Sequence, residues 1–226
     1  MVDVAHIIPP SPDDPPPTPW WRRPRVLPWL AGGLVGAVAI GGGLWAWKPW
    51  QSVELPQSAC WGALDREAIR PFVGSDGKAE AHVHGELSAA NPLAQCSVSW
   101  LPKGGLAAID ATVMRADDSL HQIDQAHMAD DIAQGRATEL AVGDHAQAWV
   151  APANAWLIFP CPVPEAGKRG YVSIMVTGDP QVPARPFREL VQNRADFILK
   201  LAKEVVQREG CSDVHLVDHA TVVPFK

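Results

Sequence analysis

Residues 27–47 form a run of 21 positions without one charge. It contains seven Leu, Ile or Val, four Ala, six Gly, three Trp and Pro28. About 20 apolar residues at roughly 1.5 Å rise each span a hydrocarbon core about 30 Å thick. The run therefore predicts a transmembrane helix over 26–48. Arg22, Arg23 and Arg25 precede it and only Lys48 follows closely. Cationic flanks stay on the cytoplasmic side, so the expected topology places the N-terminus inside and the chain beyond about residue 50 outside. Trp20, Trp21 and Trp29 gather at one end, and Trp45, Trp47 and Trp50 at the other. Indole rings favour the headgroup region, so these six read as two membrane-interface belts. The rival reading is a cleaved signal peptide. Its apolar part would be too long, and residues 44–49 offer no small-x-small cleavage pattern. The first cysteine is Cys60, too far along for a lipid-modified anchor. Gly32 and Gly36 lie four apart, a spacing that permits a weak homodimer through close helix approach in lipid.

The organisation that follows is a disordered Pro-rich cytoplasmic tail over 1–25, the span over 26–48, a linker over 49–59 and an extracytoplasmic domain over 60–226. Eight prolines between Pro9 and Pro24 fix φ and remove donors, which favours an extended tail. Such a tail is a spacer or a ligand for an aromatic groove. The net charge of −6 excludes the basic surplus expected of a nucleic-acid binder.

Cys60, Cys96, Cys161 and Cys211 all fall in the part expected outside. An even number confined to one compartment is the pattern of disulfides. Of the three possible pairings, Cys60–Cys96 with Cys161–Cys211 is preferred, because each bond then closes one half of the domain. A zinc site is the alternative, and the absence of a C-x-x-C pair argues against it.

The residue pattern predicts an α+β domain: an antiparallel sheet packed with helices. A short helix is expected over 64–73, capped by Asp65. Strands are expected over 79–87, 95–101, 106–115, 139–142, 146–150, 155–159 and 171–176. A polar helix is expected over 119–134. The firmest element begins at Pro186, where Phe187, Leu190, Val191, Ile198, Leu201, Ala202, Val205 and Val206 make one helical stripe ended by Gly210. Residues 214–223 complete the sheet as a last strand.

The segment Ser58-Ala59-Cys60-Trp61-Gly62-Ala63-Leu64, the pair Val73-Gly74, Cys96-Ser97-Val98-Ser99-Trp100, the turn Ala141-Val142-Gly143-Asp144-His145-Ala146 and a terminal helix beside the last cysteine follow one another in order. In this the chain resembles uncharacterised actinobacterial membrane-anchored and lipoprotein-type extracytoplasmic domains over 60–226. The resemblance implies a small α+β envelope domain, and it carries over no catalytic residue.

Candidates for chemistry are few. His82 and His84 share a strand face with Glu80 and Glu86, which is half of a metal site or an exposed polar face. His121, Asp124, His127 and Asp131 sit on the polar helix, where a solvated face is the preferred reading. Asp65, Glu67, Asp117 and Asp118 form no recognisable carboxylate pair. Trp61, Trp100, Trp149 and Trp156 are expected to fill the core, with a carbohydrate-stacking platform as the rival. No nucleophile, phosphate or dinucleotide motif occurs. The reading that follows is a non-enzymatic binding domain of the cell envelope, with no cofactor, recognising an envelope protein or polymer. An envelope hydrolase and a sensory or structural subunit acting through the tail are the alternatives.

Overall fold

Alternation of apolar and polar residues along most strands builds one large sheet with two different faces. The computed structural model describes residues 53–88, 90–100, 106–161, 170–179, 182 and 185–222. All belong to one unit, Trp50–Lys226. The expected tail, span, Trp belts and Gly32/Gly36 face lie outside the described residues. Among the described residues, no helix is long and apolar enough to cross a membrane.

A two-stranded ribbon pairs β1 (Ser58–Ala59) with β2 (Leu64–Asp65). Helix α1 (Arg66–Ile69) follows, and Asp65 caps it by accepting from the Ala68 N–H at 2.8 Å. Pro71 ends it in a single 3-10 turn, Arg70–Phe72. The main sheet contains β3 (Ala79–His84), β4 (Leu93–Trp100), β5 (Leu106–Ala116), β6 (Thr138–Asp144), β7 (Gln147–Val150), β8 (Asn154–Pro160), β9 (Tyr171–Thr177) and β10 (His215–Val222). Their order is β10-β6-β7-β8-β9-β5-β4-β3, and every pairing is antiparallel. Two meanders, β3–β5 and β6–β9, are joined by α2 (Asp118–Ala133), and β9 returns to pair with β5. After β9 comes α3 (Phe187–Glu209), which carries the chain back to place β10 against β6.

Helix α3 covers one sheet face. Leu190, Val191, Ala195, Phe197, Ile198, Leu201, Ala202 and Val205 are buried there, against Val98, Ile109, Val150, Leu157, Phe159, Ile174 and Val176. Each of the larger side chains contributes about 1.5–3 kcal/mol on full burial. Gly210 closes α3 at φ 69°, a left-handed cap in which a Cβ would be strained. Arg194 is fully buried within this layer. It donates to Pro152 O at 2.7 Å and Gly178 O at 3.2 Å, and lies 5.9 Å from the Phe72 ring centroid. Burial lowers its pKa to about 10, so it stays charged at neutral pH and ties α3 to the ends of the neighbouring strands.

Both preferred disulfides are present, Cys60–Cys96 and Cys161–Cys211. The first holds an unusual backbone. Cys60 and Trp61 adopt φ 51° and 59°, left-handed values that β-carbon residues avoid. Besides the disulfide, the Trp61 indole N–H donates to Gly85 O at 2.9 Å and Arg208 donates to Trp61 O, so the conformation is over-determined. The second disulfide pins the end of α3 to the end of β8.

Candidate functional site

The second sheet face is divided. Helix α2 covers the β7–β9 side through a small cluster of Met128, Trp149 and Ile158, with Ile132, Trp156 and Tyr171 packed around it. The β3–β5 side carries mainly polar residues. Antiparallel register places His82 opposite Ser97, Ser97 opposite Asp110, Asp110 opposite Thr177 and Thr177 opposite Asn154. Residues paired in this way point to the same face, so five polar side chains form one row across five adjacent strands. At about 4.8 Å per strand gap the row is about 19 Å long. Their sequence neighbours Val98, Ile109, Ala111, Ala155 and Val176 face the α3 core instead.

Two members of the row have a chemical deficit. Asp110 is half-buried, and burial raises its carboxyl above the ordinary carboxylate value, with no hydrogen bond or ion pair opposing the shift. The Asn154 carboxamide oxygen is enclosed and accepts nothing. Thr177 lies between them, with a partly solvated carboxylate on one side and a carboxamide oxygen closed to solvent on the other. Trp156, two residues from Asn154 on the same strand face, is half-buried.

An unpaired, partly desolvated carboxylate costs stability, and functional sites are where such costs are retained. Because the folded state raises the Asp110 pKa, its ionisation disfavours folding as pH rises through the shifted value. Asp110→Asn should therefore raise the melting temperature at pH 7, and the gain should vanish at pH 3, where the carboxyl is protonated in both states. An unchanged or lower melting temperature at pH 7 would show that an unseen donor stabilises the carboxylate.

The residues singled out from sequence are distributed differently. His82 joins the row, while His84 lies in the next row opposite Gln95; both are exposed on an edge strand. Among the described residues one group of metal-ligand side chains converges, Cys161, Glu209 and Cys211, with ligand atoms within 4.8 Å. Both sulfurs are bonded to each other, and Glu209 forms an ion pair with Arg115, so the group offers no free thiolate. The expectation of a fully solvated α2 face holds only in part. His121 stacks on Tyr171 at 4.0 Å between ring centroids, and Asp124 accepts from the Ser173 hydroxyl at 3.4 Å. That serine donates to a carboxylate rather than to an imidazole, which is not the arrangement that activates a nucleophile. His127 is exposed, and Asp131 pairs with Arg136 at 2.5 Å. Trp100 and Trp149 are buried as expected of core residues, whereas Trp61 and Trp156 are only half-buried.

A groove of about 290 Å³ lies between α1, α3 and β10, lined by Pro71, Asn193, Asp196, Phe197, Lys200 and Asp218 among others. Its lysines are occupied: Lys200 pairs with Asp65 at 3.4 Å and Lys203 with Asp218 at 2.9 Å. The row differs from the groove in that its carboxylate, Asp110, has no cationic partner.

Ser97, Asp110, Asn154 and Thr177 were not candidates from sequence. The alternation Ile109-Asp110-Ala111-Thr112-Val113 places Asp110 off the core face. Only the register brings it beside Ser97 and Thr177. No protein-family model, curated protein or solved structure matches the chain.

Proposed function

We propose that this chain is a single-pass membrane protein whose C-terminal domain is a non-enzymatic binding module of the cell envelope. Residues 26–48 anchor it, the N-terminus is cytoplasmic, and the domain stands outside. The observation that carries the reading is the cysteine distribution. All four cysteines lie in the domain, all four are in disulfides, and no free cysteine remains. Such bonds persist in oxidising compartments, and the arginines before residue 27 assign the opposite side to the N-terminus. The likeness to actinobacterial membrane-anchored and lipoprotein-type domains belongs to the same proposal. A binding role is supported by the polar row that His82, Ser97, Asp110, Thr177 and Asn154 form across five adjacent strands.

The topology is tested by placing single cysteines at Ser11 and Lys226 in whole cells and adding a membrane-impermeant maleimide. Position 226 should be labelled without permeabilisation, and position 11 only after it. Labelling of position 11 from outside would overturn the topology. A mature chain beginning after residue 47 would replace the anchor with a cleaved leader.

A further inference from the structure

We infer that Arg66 and Arg70, with Glu54 and Glu67, form a headgroup site for a zwitterionic phosphoethanolamine lipid of the bilayer that anchors the chain. The inference deepens the membrane-module reading above and rests on it. The four side chains, with Val53 and Leu55, line one concavity of about 360 Å³ at the start of the domain. Asp65 caps α1 and fixes where its first turn begins, so Arg66 and Arg70 stand one turn apart on the same face. Like charges at this spacing repel. Among the described residues, neither guanidinium has an ion pair or a hydrogen-bond partner. Two guanidinium forks one turn apart suit the oxygens of one phosphate, which accepts from both and removes their repulsion.

Two carboxylates face the same space without neutralising the arginines. Glu54 and Glu67 are exposed, and among the described residues no ion pair joins either to Arg66 or Arg70. Lys78, which acts on Glu54 at a distance, is paired with Glu80 at 3.0 Å. The concavity therefore offers two cations and two anions that do not satisfy one another. A ligand with one sign of charge gains from two of these groups and is repelled by the other two. A phosphate with an ammonium a few bonds away complements all four. The ammonium also donates hydrogen bonds to carboxylates, which a quaternary choline group cannot do. Chain connectivity points to the bilayer as the source. Val53, in the wall of the concavity, lies five residues beyond Lys48, the end of the proposed anchor. Five residues reach at most about 18 Å. The site is thereby tethered close to the outer headgroups, which raises their effective concentration over any free ligand. The buried Val53 and half-buried Leu55 offer an apolar wall to the glycerol carbons.

The test uses the full chain in maltoside micelles, mixed with equal amounts of phosphatidylethanolamine, phosphatidylcholine and phosphatidylglycerol. Native mass spectrometry counts the lipids retained. Phosphatidylethanolamine should be retained in preference to the other two. Arg66→Gln/Arg70→Gln should reduce its retention about fivefold or more. Arg188→Gln, at an exposed arginine of α3 outside the concavity, should leave it unchanged. Glu54→Gln/Glu67→Gln should move the preference to phosphatidylglycerol, because the arginines keep the phosphate while the repulsion of an anionic lipid is gone. Circular dichroism and melting curves would establish that each variant is folded. Retention that survives the double arginine substitution would place the lipid on the anchor and overturn the site. Phosphatidylglycerol ahead of phosphatidylethanolamine in the unaltered chain, or phosphatidylcholine equal to it, would overturn the ligand class. Displacement of the lipid by millimolar inorganic phosphate would overturn the bilayer as its source. Maleimide labelling of the same protein separates these outcomes from a failure of the membrane-module reading, since a correct topology with no headgroup preference leaves that reading standing.

Discussion

Replacing Cys161 and Cys211 together by alanine is expected to lower the stability of the domain by roughly 4 kcal/mol. The bond closes a loop of 50 residues, and the chain-entropy relation gives about that value for a cross-link of this length. For a domain of this size the loss corresponds to a fall of roughly 8–16 °C in melting temperature. Both cysteines are 1% exposed, so the fold also loses the packing around them. Cys60–Cys96 spans 36 residues and has nearly the same entropic weight. Its removal should in addition release the left-handed backbone at Cys60 and Trp61, detectable as faster amide exchange at Trp61 and Gly62. Thermal melts of the two paired variants, followed by near-ultraviolet circular dichroism, provide the measurement. A shift of less than about 3 °C for both would show that the bonds are incidental to the fold.

The second large effect concerns Arg115 and Glu209. Their side chains are 13% and 3% exposed and form an ion pair beside the Cys161–Cys211 bond, and Arg115 also donates to Cys161 O at 3.4 Å. Burial raises the Glu209 carboxyl above the usual glutamate value, and Arg115 opposes that shift. Arg115→Met removes the opposing charge and leaves burial alone. Breaking an enclosed pair from one side costs about 3–5 kcal/mol, because the remaining charge has neither water nor a partner. The sign of the pH dependence follows. With its folded-state pKa raised further, Glu209 disfavours folding at neutral pH. This penalty shrinks as pH falls toward the unfolded value of 4.5, where the group becomes protonated in both states. Arg115→Met should therefore be most damaging near pH 7 and recover part of its stability near pH 5. Arg115→Met/Glu209→Met should regain most of the loss at pH 7. Urea melts at the two pH values decide the matter. Equal losses at both, with no recovery in the double variant, would mean that Arg115 acts through packing alone.

Local signals account for much of the fold. The α3 stripe from Leu190 to Val205 and its stop at Gly210 are written at helical spacing, and the structure places them where that spacing requires. Asp65 caps α1 because a short acceptor precedes a helical turn, a relation confined to four residues. The disulfides were legible as a preferred pairing, since cysteine number and position restrict the choices to three. By contrast, α2 has almost no apolar stripe. What it buries is selected by a few contacts, Met128 and Ile132 against Trp149 and Trp156, which no periodicity announces. The same holds for Arg194 and for the Arg115–Glu209 pair, charged residues whose burial depends on elements up to about a hundred positions apart.

By itself the amino-acid sequence determined the class of the domain, the position of its long helix, and the sheet face toward which each strand turns its apolar residues. These depend on interactions within a turn of helix or along one strand. The tertiary structure alone decided which strands become neighbours and in what register. Through that choice His82, Ser97, Asp110, Thr177 and Asn154, scattered over 96 positions of the chain, enter one row. The physical reason is that register is set by pairing between distant strands. A shift of one residue on β5 would turn Asp110 into the core and dissolve the row, although every local preference along that strand would be unchanged.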